Sequence, residues 1–172
     1  MEIRSLRESD DRTTFHSGDA DLDRFLVKYA GQNQFRHHIG TTYVAVDGDR
    51  IVGFATIAPG ALEGEDLPST YARKLPAYPL PVLRLAGLAV AEAAQSRGIG
   101  KALLRHVFLL SQKMAEEYGC VGVVVDALPD AVEFYQRFGF SPLEVSEGQL
   151  ESRPAPLPMF LPGALIALAL GR

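Results

Sequence analysis

The sequence predicts an α/β layered domain with a mixed sheet, and three observations carry that prediction. Ile99, Leu103, Val107, Leu110 and Met114 recur at spacings of four and three, the stripe of an amphipathic helix over Gly98 to Tyr118. Thr41 to Val46 and Ile51 to Ile57 flank the tight turn Asp47-Gly48-Asp49-Arg50 as the arms of a hairpin. The patterns then follow in the order hairpin, strand, helix, strand, helix, strand, which layers helices on a sheet.

Glu2 to Leu6 is predicted as a short edge strand. Ser17-Gly18-Asp19 offers a helix cap before Leu22, Phe25, Leu26 and Tyr29, whose spacing makes an amphipathic helix, and Gly40 ends that region. Residues 58 to 81 read as irregular, because Pro59, Pro68, Pro76, Pro79 and Pro81 limit regular structure, with a short helix allowed around Pro68 to Leu75. Val82 to Val90 is a strongly apolar strand interrupted by Gly87, which marks a bulge or a close backbone approach. Gly119 is placed to end the long helix, and Val121 to Val125 is a buried strand by length and β-branching. Asp130 to Phe138 reads as a short helix closed by Gly139, and Ser141 to Val145 and Leu157 to Leu161 supply final strands. The apolar tail Ala164 to Leu170 packs as a last strand or joins a homodimer contact.

At 172 residues the chain suits a single domain, 1–172, able to bury a core. Its 47% hydrophobic and 22% charged content fits a soluble globular protein rather than a disordered or fibrous one. Lys and Arg number 17 against 21 Asp and Glu, so the net charge of -4 gives no whole-surface attraction to nucleic acid. Arg24, Lys28, Arg36 and the pair Arg73-Lys74 are the cations available for a local patch. The lone Cys120 precedes an apolar run and reads as a small core residue. Met1 leads into charge rather than a signal sequence, and the tail is far shorter than the ~20 residues that span a bilayer. A cytoplasmic address and no membrane partner are therefore expected. No cluster has metal-ligand spacing.

Chemistry concentrates where the strand 82–90 turns into the long helix. A helix start presents unpaired backbone N–H groups at the positive end of its dipole, which suits a pyrophosphate. Gly98 and Gly100 let a phosphate approach the backbone, and Arg97, Lys101 and Arg105 add charge beside it. Two other phosphate motifs are excluded: there is no G-x-x-x-x-G-K-[ST], and no third glycine at the dinucleotide offset.

Gln95-Ser96-Arg97-Gly98-Ile99-Gly100 resembles the Q/R-x-x-G-x-G/A signature of the GNAT acetyltransferase superfamily, and Ala131 to Phe140 resembles its A-x-x-F-Y-x-x-x-G-F segment. Two motifs in the right order make the match specific. The resemblance implies a mixed, mostly antiparallel sheet of about six to seven strands, splayed in the middle. It implies acetyl-CoA as co-substrate, its pyrophosphate on the turn from Gln95 to Lys101 and its pantetheine arm along Leu88, Ala89 and Val90. Tyr135 is then the general acid that protonates the leaving sulfur, and Phe134 and Phe138 are core. For the base, Glu92, His37 and His38 are candidates, and a solvated surface role fits each of them.

Phe15 to Asp19, Leu22 to Leu26, Ala30 to Gln34 and Pro79 to Leu83 extend the similarity to the toxin-type GNAT proteins of bacterial toxin–antitoxin pairs. Those proteins acetylate aminoacyl-tRNA and pair with a small ribbon-helix-helix antitoxin. Two features depart from their pattern: Gly87 stands where they carry an arginine, and the chain is net acidic. The function expected is N-acetyl transfer to a primary amine. The alternatives are a toxin acting on aminoacyl-tRNA and a non-catalytic acetyl-CoA-binding module.

Overall fold

Short-range chemistry sets where each element begins. In a computed structural model, which describes residues 1–67, 71, 79–143 and 156–171, the strands are β1 (Glu2–Ser5), β2 (Thr41–Asp47), β3 (Arg50–Leu62), β4 (Leu80–Val90), β5 (Gly122–Ala127), β6 (Ser141–Pro142) and β7 (Leu157–Pro162). The α-helices are α1 (Ala20–Arg24), α2 (Ile99–Glu117), α3 (Val132–Arg137) and α4 (Gly163–Ala169). The seven strands form one mixed sheet in the order β1-β2-β3-β4-β5-β7-β6, flanked by helices. Among the described residues no helix is long and apolar enough to cross a membrane.

Two compact units divide the chain. The first comprises Met1–Ala58 and Leu85–Val107. In it β1 pairs antiparallel with β2, and β2 with β3, with a bulge between Ala45 and Val46. Gly48 takes φ +67 in the hairpin turn, a conformation that glycine adopts without strain. Asp19 caps α1 by accepting from the amides of Asp21 and Leu22. The core gathers Phe54, Leu26, Val44 and Phe15, with Phe15 edge-on to Phe54 at 5.5 Å. The hydroxyls of Thr42 and Thr56 satisfy each other at 2.7 Å inside it.

The second unit comprises Pro59–Arg84 and Phe108–Arg172. Here β5 pairs antiparallel with β7, Val124 opposite Phe160, and β6 pairs with the same strand. Gly122 has no room for a side chain, since an added Cβ would overlap the Leu161 carbonyl oxygen. Leu62, Leu67, Leu80, Val82, Val124 and Phe160 form this unit's core.

Four expectations change. The helix predicted from Leu22 to Tyr29 is α-helical only to Arg24, then widens into π-helical turns at Phe25–Tyr29 and Gln32–His37, leaving Tyr29 exposed. The stretch after residue 57 stays extended to Leu62, and β4 starts at Leu80 with Pro81 inside it, because proline's fixed φ is compatible with extended backbone. The apolar tail is helical rather than a strand: Ile166 is buried and Leu168 exposed. Cys120 is only partly buried, its thiol donating to the Gly122 carbonyl at 3.2 Å. The helix considered over Pro68 to Leu75, the pair Arg73-Lys74 and the end of the strand to Val145 lie largely or wholly outside the described residues.

Candidate active site

The turn after β4 is held by backbone bonds from both sides. Ala91 donates its amide to the Val52 carbonyl at 2.9 Å, and a 3₁₀ turn covers Glu92–Ala94. Gln95 then donates its side-chain amide to the carbonyls of Val90 and Ser17, each at 3.1 Å. That side chain therefore braces the turn. Ser96 and Gly98 both lie in the left-handed region, at φ +65 and +80. Left-handed residues turn successive amides toward one side and make an anion-binding concavity.

At the start of α2 the first helical bond runs from the Ala102 amide to the Gly98 carbonyl at 3.0 Å. The amides of Ile99, Gly100 and Lys101 precede that ladder and have no helical acceptor. A Cβ added at Gly98 would meet nothing within 4 Å, so the outer face of the turn is open. Ile99 is buried and contributes only its backbone outward. Gly53 explains why α2 seats so low on β3, since a Cβ there would stand 3.0 Å from both Ile99 and Leu103. Lys101 is exposed, and Arg97 is half-exposed with a loose 3.5 Å contact to Asp47, leaving both cations available to an anion. Open backbone, free amides and flanking cations fit a pyrophosphate.

On β4, Ala89 is buried while Leu88 and Val90 are partly so. The close approach signalled by Gly87 comes from α1: an added Cβ would sit 3.2 Å from Leu22. The unit thus brings together Leu88, Ala89, Val90, Gln95, Ser96, Arg97, Gly98, Ile99, Gly100 and Lys101 along one strand, turn and helix start.

Tyr135 belongs to the second unit. Its carbonyl accepts from the amides of Phe138 and Phe140, and Gly139 at φ +97 reverses the chain between them. That reversal lays Phe140 edge-on against the Tyr135 ring at 5.4 Å, with Phe134 edge-on at 5.2 Å. Phe134 and Phe138 pack together at 5.1 Å but stay partly exposed, so Phe140 is the true core ring. Tyr135 is 4% exposed, and burial pushes its phenol well above the usual range. The phenol therefore keeps its proton throughout the neutral range.

Glu92 joins a constellation that no motif spacing links, with His16 and Asp23. His16 stands between Asp23, 3.5 Å from Nδ1, and Glu92, 3.3 Å from Nε2. Asp23 also accepts from the Ser17 amide and hydroxyl. Thr14, His16, Arg50, Glu92 and Arg97 border an open cavity of about 350 Å³. His37 and His38 are exposed, and among the described residues no group of acids, cysteines and histidines is arranged to hold a metal.

Known proteins resemble this chain. The family model described as an acetyltransferase (GNAT) domain matches residues 38–142. A tRNA-acetylating toxin of Mycobacterium tuberculosis is 36% identical over 138 residues, 80% of this chain and 82% of its own. AtaT complexed with acetyl-methionyl-tRNAfMet superposes with a TM-score of 0.84 at 26% identity, over 98% of both chains. AtaTR bound with acetyl-CoA does so at 0.79 and 27%, covering 98% of this chain and 97% of that one. A KacT mutant gives 0.80 and 27%, covering 98% and 99%. The chain belongs to the GNAT acetyltransferase family, as an N-acetyltransferase that uses acetyl-CoA.

Proposed function

We propose that the acceptor is the α-amino group of aminoacyl-tRNA, and that the chain is the toxin of a toxin–antitoxin pair. The observation that carries this reading is the 36% identity, over four-fifths of the chain, to a protein named for acetylating tRNA. The chemistry agrees. An α-amino group with a pKa of about 7.7–8.0 is partly neutral at pH 7, whereas a lysine at about 10.4 is not. Such an acceptor makes little demand on a base.

Acetyl-CoA supplies an activated thioester. The amides of Ile99, Gly100 and Lys101, with Arg97 and Lys101, hold its pyrophosphate, and Leu88 to Val90 line its arm. Ser96 and Gly98 keep those amides on one side. The neutral amine attacks the thioester carbonyl, the C–N bond forms as the C–S bond breaks, Tyr135 gives its phenolic proton to the departing sulfur, and the surplus proton on the nitrogen leaves to water, from which the phenolate is reprotonated. General-acid help of this kind is worth ~10²–10⁴ in rate. The whole chain, 1–172, works as one acetyltransferase domain, since its relatives align across both units.

The proposed partner in the cell is a ribbon-helix-helix antitoxin, a reading that rests on the resemblance to the toxin-type GNAT proteins. The proposed assembly is a cytoplasmic homodimer, to which the uncharged helix α4, with Leu168 exposed, contributes. A second reading, acetylation of another primary amine, is favoured by the net charge of -4. Transfer of radiolabelled acetyl to charged tRNA, uncharged tRNA and a panel of small amines decides between them. Label on charged tRNA alone supports the first reading, and label only on a small amine supports the second.

A further inference from the structure

We propose that one exposed basic ridge, Arg24–Lys28–Arg36 with Arg12 beside it, is where this acidic chain takes the phosphate backbone of its RNA acceptor; the RNA partner rests on the function proposed above. No Asp or Glu occurs from Arg24 to Val46, in a chain with 21 such residues. Arg24, Lys28, Gln32 and Arg36 are spaced by four and all are exposed. In a uniform α-helix, positions four apart drift forward by about 40° per step. The π-helical turns at Phe25–Tyr29 and Gln32–His37 are wider and counter that drift, which favours one face for positions four apart.

Arg12 joins the ridge from outside the helix. Gly31 is side-chain-free beneath its guanidinium, for an added Cβ would stand 2.5 Å from Arg12 Nη1. Among the described residues Arg12, Lys28 and Arg36 have no carboxylate within ion-pair distance, and Arg24 shares only a 3.1 Å surface contact with Asp21. These cations therefore keep their charge for a ligand. Tyr29, adjacent to Lys28 and 44% exposed, adds a ring able to stack on an unpaired base. A surface of spaced, unpaired cations suits a polyanion whose charges repeat along a backbone, and phosphate neutralisation gives it a salt-dependent signature.

The test is binding of bulk tRNA to the full chain over a salt series, comparing wild type with the double variant Lys28→Gln, Arg36→Gln. Affinity at low salt should fall at least tenfold, and the slope of log affinity against log salt should flatten by about two, one per cation removed. Lys113→Gln, on α2 and outside the ridge, should change neither. Unaltered acetyl-CoA affinity in the double variant verifies its fold. Wild-type affinity and slope in the double variant overturn the ridge, as does weaker binding with an unchanged slope. Acetyl transfer separates the two ideas: if wild type binds tRNA with the steep, ridge-dependent slope yet never acetylates it, the ridge stands and the acceptor assignment falls. If charged tRNA is acetylated but the double variant binds it as wild type does, the ridge alone falls.

Discussion

Between Gln95 and Lys101 the first unit presents backbone amides, left-handed dihedrals and exposed cations, whereas around Tyr135 the second presents interlocked rings and a buried phenol. Two glycines show the same contrast. Gly98 faces open space and is required by its φ of +80, while Gly122 is required by the carbonyl of Leu161 against it. The proposed ligand turn, made of backbone, is broken by conformation or by bulk placed in its open face. The proton donor proposed at Tyr135, held by packing, is broken by altering the group itself or the rings around it. Damage to the two regions should therefore separate into lost binding and lost rate.

Gly98→Glu gives the largest expected effect. It puts a carboxylate at the phosphate position and a side chain at φ +80, and titration calorimetry should find acetyl-CoA binding abolished. Normal affinity in that variant would remove the turn from its role. Next is Phe160→Ala in the second unit, where a fully buried ring opposite Val124 is lost; chemical denaturation should show a cost of about 3–5 kcal/mol. In the first unit Thr42→Val strands the buried Thr56 hydroxyl at about 1–3 kcal/mol. Adding Thr56→Val should recover most of that cost, a coupling that a double-mutant cycle reads directly.

The smallest effect concerns pH. His106 stacks 4.7 Å from Tyr43, its Nε2 is buried without a hydrogen-bond partner among the described residues, and burial lowers its pKa from the ordinary 6.5. Below pH 6.5 the unfolded chain takes up a proton that the folded chain resists, so stability falls as pH drops from 6.5 toward the lower folded value. His106→Phe should flatten that part of the stability–pH curve, and an unchanged slope would assign it to other groups.

The sequence made legible what depends on neighbours in the chain. The 41–57 hairpin, the apolar stripe of α2 and the glycine turn are written in short-range spacing, and each stands where expected. Leu104 and Phe108 are buried as well, so the apolar face of α2 is wider than one row, and Phe108 packs on the Phe140 ring. Contacts between distant residues left no local trace. Gly122 fits under Leu161, Gly53 admits the start of α2, and His16 reaches Glu92, all through pairing that no spacing rule encodes. Gln95 carried the family signature, yet its side chain braces the carbonyls of Ser17 and Val90. The tail is ambiguous for another reason, since an unbroken run of seven apolar residues satisfies strand and helix patterns equally.

The division between a turn that binds and a tyrosine that reacts is tested most directly by Tyr135→Phe, measuring acetyl-CoA affinity and single-turnover acetyl transfer to charged tRNA on the same preparation. The account predicts transfer slowed at least tenfold with cofactor affinity nearly intact. Unchanged turnover, or loss of cofactor binding in parallel with rate, would contradict it.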